Sequence, residues 1–133
     1  MYKRQFLRKI DADNLQIVWE PRGKSWLDNQ RLIMELCKEF KLTHCVDPFR
    51  AEPVYVHKTL YFRLHGLGRP TVYNYKFTDS ELAELKDKVR ATCDRCYVLF
   101  NNVYMYEDAL NFGKIVCKSQ HKKGALDILA YDI

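Results

Sequence analysis

Four short stretches of this chain end in side chains that can do chemistry. Glu20 closes LQIVWE, Asp47 closes THCVD, Arg63 and His65 stand in LYFRLHG, and Asn101 and Asn102 close CYVLFNN. Glu20 or Asp47 could serve as a general base, and His65 could exchange a proton near neutral pH. Arg63, together with Arg22 just beyond Glu20, could hold a carboxylate or phosphate through the guanidinium fork. Asn101 and Asn102 could orient a polar substrate. The competing reading is an internal network, in which Glu20 or Asp47 neutralises Arg63 and a neighbour satisfies His65, since ion-pair networks imitate active sites. Glu20, Asp47 and His65 would also be acceptable ligands for Mn, Zn or Mg. They come from separate stretches, however, so no local spacing supports a metal, and the sequence names no cofactor.

These residues need elements to position them. Apolar, β-branched and aromatic runs at Leu15–Glu20, Thr43–Asp47, Thr59–Gly66 and Cys96–Asn102 read as strands. In the third, Leu60, Phe62 and Leu64 fall on one face and Tyr61, Arg63 and His65 on the other, because side chains alternate along a strand. Helical spacing runs over Trp26–Phe40 through Leu32, Ile33, Leu36, Cys37 and Phe40, with Ser25 and Asp28 as its expected start. A second helix should begin at Asp79 and reach about Thr92. Thr78 and Glu81 form a capping box before it, and Phe77 with Leu82 a hydrophobic staple. A third is expected over about Tyr104–Gln120, burying Leu110, Phe112, Ile115 and Val116. A short opening helix should turn Phe6, Leu7 and Ile10 inward. Strands alternating with helices imply parallel strands and an α/β architecture of about four β/α units, in which functional groups gather at the carboxyl ends of the strands.

The size suits one domain, residues 1–133, with a real core. No apolar run approaches the roughly 18 residues of a membrane span, and the basic start MYKRQFLRKID lacks the features of a secretion signal. A cytoplasmic location without membrane contact is the expectation. Five cysteines, an odd and scattered set, are expected as reduced packing residues. Cys93 and Cys96 make a lone C-x-x-C with no further zinc ligands at standard spacing. One of His44 and Cys45, adjacent in a strand, should face the core.

Several of these stretches carry a resemblance. EPRGKSW, VD, YFRLHG, YNY and YVLFNN, in this order and with this spacing, resemble the second half of the YecE-like family, catalogued as domain of unknown function 72. Its pattern runs E-x-R-x-x-x-W, D, R-L-H-G, Y-x-Y and F-N-N, and the likeness covers about Leu15 to Val116. The resemblance implies a TIM-barrel-like fold in which Glu20, Arg22, Trp26, Asp47, Arg63, His65, Tyr73, Tyr75, Asn101 and Asn102 line one pocket at the top. There Tyr73, Tyr75 and Trp26 would form an aromatic wall. It supplies no reaction, because the family's activity is not established.

A complete barrel of that kind takes roughly 250 residues, so the expectation is half a barrel. Its open edges and uncovered face would be completed by a second copy in a homodimer or by a separate chain. Two other roles compete with a barrel enzyme acting on a small polar or anionic substrate. One is nucleic-acid binding, suggested by the net charge of +5, KRQFLRK, the HKKG stretch and the many tyrosines. A solvated basic surface is the favoured account of those charges, which no motif concentrates. The other is a non-catalytic subunit of a larger assembly.

Overall fold

The computed structural model describes residues 2–10, 15–90 and 95–117. Four parallel strands, β1 (Val18–Trp19), β2 (Thr43–Val46), β3 (Leu60–Leu64) and β4 (Cys96–Phe100), form one sheet in the order β1-β2-β3-β4. Helix α1 (Tyr2–Lys9) precedes β1. Helices α2 (Lys24–Leu27) and α3 (Gln30–Phe40) follow β1, α4 (Asp79–Arg90) follows β3, and α5 (Met105–Cys117) follows β4. Sequential parallel strands, with helical crossovers from β1 to β2 and from β3 to β4, give a half-barrel-like α/β fold, as the alternation of patterns predicts.

The register assigns each strand face. Leu60, Phe62 and Leu64 lie opposite Cys96, Val98 and Phe100, and all six are buried with Leu82, Leu85, Val89, Phe112 and Val116 from α4 and α5. Each such aliphatic or aromatic side chain contributes about 1.5–3 kcal/mol on removal from water. The pleat therefore turns Tyr61, Arg63 and His65 to the other face, with Tyr97 and Leu99 beside them. Tyr61 and Tyr97 pack together there, ring centres 5.9 Å apart. Deeper on that face, Gln16 Nε2 donates to Thr43 Oγ1 at 2.7 Å and Thr59 Oγ1 donates to Gln16 Oε1 at 3.2 Å. A second core, Ile33, Cys37 and Leu42 with Trp19 and Trp26, holds α3 against the β1 side of the sheet.

The helix starts divide into one that matches its signal and one that does not. At α4 the Thr78 N–H donates to Glu81 Oε2 at 2.8 Å and the Glu81 N–H to Thr78 Oγ1 at 3.3 Å, closing the capping box. Phe77 and Leu82 are both buried in the adjoining core. The helix expected as one piece over Trp26–Phe40 is instead α2 and α3. Ser25 lies inside α2 rather than capping it, and the turn begins at Gly23, whose φ of 96° suits glycine. Between the two helices Asn29 departs from helical geometry, and its Nδ2 donates to the Ser25 carbonyl at 2.8 Å. Asp28 and Asn29 offer the backbone side-chain partners that compete with helix continuation.

Other expectations are corrected by packing. Leu110 is 48% exposed, because it lies two residues from both Asp108 and Phe112 and so across the helix from the buried face of Asp108, Ala109, Phe112 and Val116. Phe6 is 61% exposed; α1 rests on α3 through Leu7 and through Arg4 and Arg8, which pair with Glu39 at 2.8 and 3.2 Å. No helix joins β2 to β3. That crossover holds Pro48 and Pro53, which disfavour a helix interior, and it packs Phe49 and Val56 on one core and Val54 and Tyr55 on the other. Cys37, Cys45 and Cys96 are buried free thiols, and burial pushes Cys37 up to about 11. Cys93, His121, the HKKG stretch and the 124–133 tail lie outside the described residues. Among the described residues no helix is long and apolar enough to cross a membrane.

β3 leaves the core at Gly66, with φ of 95°. A Cβ there would stand 2.5 Å from the Val72 carbonyl oxygen and 2.7 Å from Tyr75 Cβ. Gly66→Ala is therefore expected to cost about 2–3 kcal/mol, measured as a lower urea midpoint at unchanged m-value. A midpoint equal to that of the unsubstituted protein would contradict this close approach.

Candidate functional site

At the carboxyl ends of β1, β2 and β3, charged groups from three connections meet. Arg63 Nη1 donates to Glu20 Oε2 at 2.8 Å, across β2. Arg22, two residues beyond Glu20, donates to its other oxygen through Nε and Nη2 at 3.2 and 3.0 Å. Burial opposes the charge on Glu20, but the bond from Arg63 and the neighbouring Arg22 outweigh it and hold its pKa below the usual carboxylate value. Glu20 therefore remains ionised, stretched between two guanidiniums.

Asp47 is fixed more firmly still. Its Oδ1 accepts the Phe49 N–H at 3.1 Å, and its Oδ2 accepts the His65 N–H at 3.1 Å. The first is an Asx turn that begins the β2–β3 connection; the second ties the end of β2 to the end of β3. Arg50 Nε lies 3.4 Å from Oδ2, and Arg50 Nη2 donates to the Gly66 carbonyl at 2.9 Å. The imidazole of His65 stands between the carboxylates, Nδ1 at 3.5 Å from Asp47 Oδ2 and Nε2 at 3.9 Å from Glu20 Oε1. Tyr73 packs edge-on against it, ring centres 5.7 Å apart. A histidine with a fixed carboxylate at Nδ1 has an oriented ring and presents Nε2 for proton exchange.

These groups border a cleft of about 540 Å³. Glu20, Arg22, Asp47, Arg50, His65 and Tyr73 line its polar side, while Leu27, Ile33, Val46, Val54 and Val72 line its apolar side. Arg63 stands behind Glu20. Seven of the ten site candidates read from the sequence thus divide into six brought together here, Glu20, Arg22, Asp47, Arg63, His65 and Tyr73, and Asn101 beside them. Asn101 follows β4 in register with His65, its N–H donating to the Leu64 carbonyl at 2.7 Å.

The other three are placed elsewhere. Trp26 packs edge-on against Trp19, ring centres 5.0 Å apart, on the helix side of the sheet. Tyr75 turns toward α4, its hydroxyl donating to Glu81 Oε1 at 2.6 Å. Asn102 is buried, and its Nδ2 donates to the Tyr75 carbonyl at 2.5 Å and to Asp108 Oδ2 at 2.7 Å. Burial raises the pKa of Asp108, only partly offset by the bonds from Asn102 and Phe77. Asn102 and Asp108 thereby clamp the segment after β3 to the first turn of α5. Arg50 and His44, which line the cleft, were not singled out as site residues from the sequence. Arg50 sits in a loop three residues past Asp47, a spacing that permits an ion pair but carries no signal of its own. Among the described residues no group of three or more His, Cys, Asp and Glu is placed to hold a metal ion.

A parallel α/β sheet with charged groups gathered at the carboxyl ends of its strands defines the class, a half-barrel-like α/β protein. The sequence over residues 2–125 matches the family described as "Protein of unknown function DUF72", and the chain belongs to that family. No curated protein and no solved structure matches the chain.

The Glu20 shift has a consequence for stability. Its folded-state pKa lies below the unfolded value, so its contribution is present above about pH 4.5 and is lost as the pH falls through the folded value. A double-mutant cycle of Glu20→Gln and Arg63→Met is expected to give a coupling of about 1 kcal/mol near pH 7. That coupling should shrink toward zero as the pH falls through the lowered folded-state value and the carboxyl is protonated. A pH-independent coupling would mean that packing, not charge, joins the two side chains.

Proposed function

We propose that the cleft binds a small anionic molecule and that His65 exchanges a proton with it. The observation that carries this reading is the pair of guanidiniums on the cleft wall, Arg22 and Arg50. Arg22 bonds Glu20, Arg50 bonds the Gly66 carbonyl and lies beside Asp47, and the third carboxylate at the cleft, Glu52, is held by Lys88 at 3.1 Å. These bonds leave N–H donors over, each guanidinium having five. Arg22 and Arg50 keep much of their side chains exposed, where a carboxylate or phosphate can reach them. Asp47 supports the acid–base role of His65 by orienting its ring rather than by touching substrate. The cleft volume suits a molecule of a few heavy-atom groups, with the apolar wall taking its hydrocarbon part.

Hexanoate is a simple probe of this reading. Saturable binding by calorimetry, weakened about tenfold by Arg22→Gln and weakened further by added salt, is the expected outcome. No saturable binding, or binding indifferent to Arg22→Gln, would remove the anion reading.

The sheet face bearing Tyr61, Tyr97 and Leu99 has no helix over it among the described residues, and β1 and β4 each have one unpaired edge there. All-parallel sheets occur almost only with both faces covered. We infer that a second copy, or another chain supplying further β/α units, completes this face. Native mass spectrometry at micromolar concentration should give a dimer or a heteromeric complex. A folded, monodisperse monomer would refute the inference.

A further inference from the structure

We propose that His44 is a ligand-binding residue of the cleft, donating its Nε2–H to a neutral oxygen acceptor on the apolar part of the bound anion. This rests on the reading of the cleft as an anion site and extends it to the other end of the ligand.

β2 is buried along its whole length, and His44 is only 6% exposed within it. A histidine so placed has two ring nitrogens to satisfy. The first is accounted for: Nδ1 accepts the Val54 N–H at 3.1 Å. An accepting Nδ1 carries no proton, so the proton of the neutral ring is on Nε2, which becomes an obligatory donor. Burial holds the pKa of His44 below its usual value, which keeps the ring in that neutral form.

The donor has no partner among the described residues. The buried side-chain atoms there that lack a partner and are sealed from solvent are Asn102 Oδ1 and Asp108 Oδ1. His44 Nε2 is not one of them, so it retains access to open space, and the space that His44 lines is the cleft. Its surroundings in that cleft include Ile33, Val46 and Val54. A single N–H in an apolar wall discriminates strongly, because a ligand without an acceptor at that point leaves the donor both unbonded and dehydrated. The cleft therefore suits an anion whose hydrocarbon portion carries a ketone, amide or similar neutral oxygen. The charged head belongs to Arg22 and Arg50, and the oxygen to His44.

The test compares hexanoate with 5-oxohexanoate, which adds one carbonyl oxygen. Affinities are measured by calorimetry on the full chain and on two substitutions with opposite losses. His44→Asn keeps an oxygen near the Nδ1 position to accept the Val54 N–H but removes the Nε2 donor. His44→Gln reaches the Nε2 position with an amide N–H but abandons Val54. The unsubstituted protein is expected to bind the oxo acid about tenfold tighter than hexanoate. His44→Asn should erase that preference, and His44→Gln should lower the thermal midpoint while keeping part of the preference. Equal binding of the two acids by the unsubstituted protein, or a preference that survives His44→Asn, would overturn the assignment and leave the Arg22-dependent anion site standing. If neither acid binds in an Arg22-dependent way, the anion reading and the role of His44 fall together.

Discussion

The pleat of β3 is the constraint on which the other features depend. Leu60, Phe62 and Leu64 are sealed against α4 and α5, and a strand with that face buried has no freedom in where its alternate residues go. Slipping by one residue would drive Arg63 and His65 into the apolar layer and Phe62 into water. An unpaired cation in such a layer costs several kcal/mol, and the exposed apolar side chains would add about 2 kcal/mol each. The hydrophobic layer under the sheet thus aims the charged groups above it.

The charged groups in turn are ordered by Asp47. One carboxylate accepts backbone N–H groups from its own loop and from the end of β3, and it meets Arg50, which reaches on to Gly66. Two strand ends and one loop are tied at a single side chain of which little is exposed. Glu20 and Arg22, by contrast, are more open to water than Asp47.

Legibility followed the range of the interactions. The capping box at Thr78 and Glu81 and the alternation of LYFRL are decided within a few residues, and both are present as expected. The break at Asp28 and Asn29 was hidden because the apolar spacing of α3 extrapolates backward without a penalty, whereas the side-chain competition that ends α2 does not appear in a hydrophobic pattern. Leu110 was misplaced for a similar reason: an apolar residue on a helix is not thereby on its buried face. Trp26, Tyr75 and Asn102 share motif stretches with residues at the cleft, yet packing against Trp19, Glu81 and Asp108 takes them elsewhere. Neighbours in a motif need not be neighbours in a site.

The sequence by itself determined the parallel α/β alternation, the face on which Arg63 and His65 lie, and the gathering of Glu20, Asp47 and His65 at strand ends. Periodicity and turn chemistry are local, and they survive without knowledge of partners. Only the tertiary structure decided which of those strand-end groups touch, that Arg50 belongs among them, and that His44 has one nitrogen bonded to Val54 and the other without a partner among the described residues. Hydrogen-bond satisfaction is a property of atoms separated by tens of residues in sequence and about 3 Å in space, and no pattern along the chain records it.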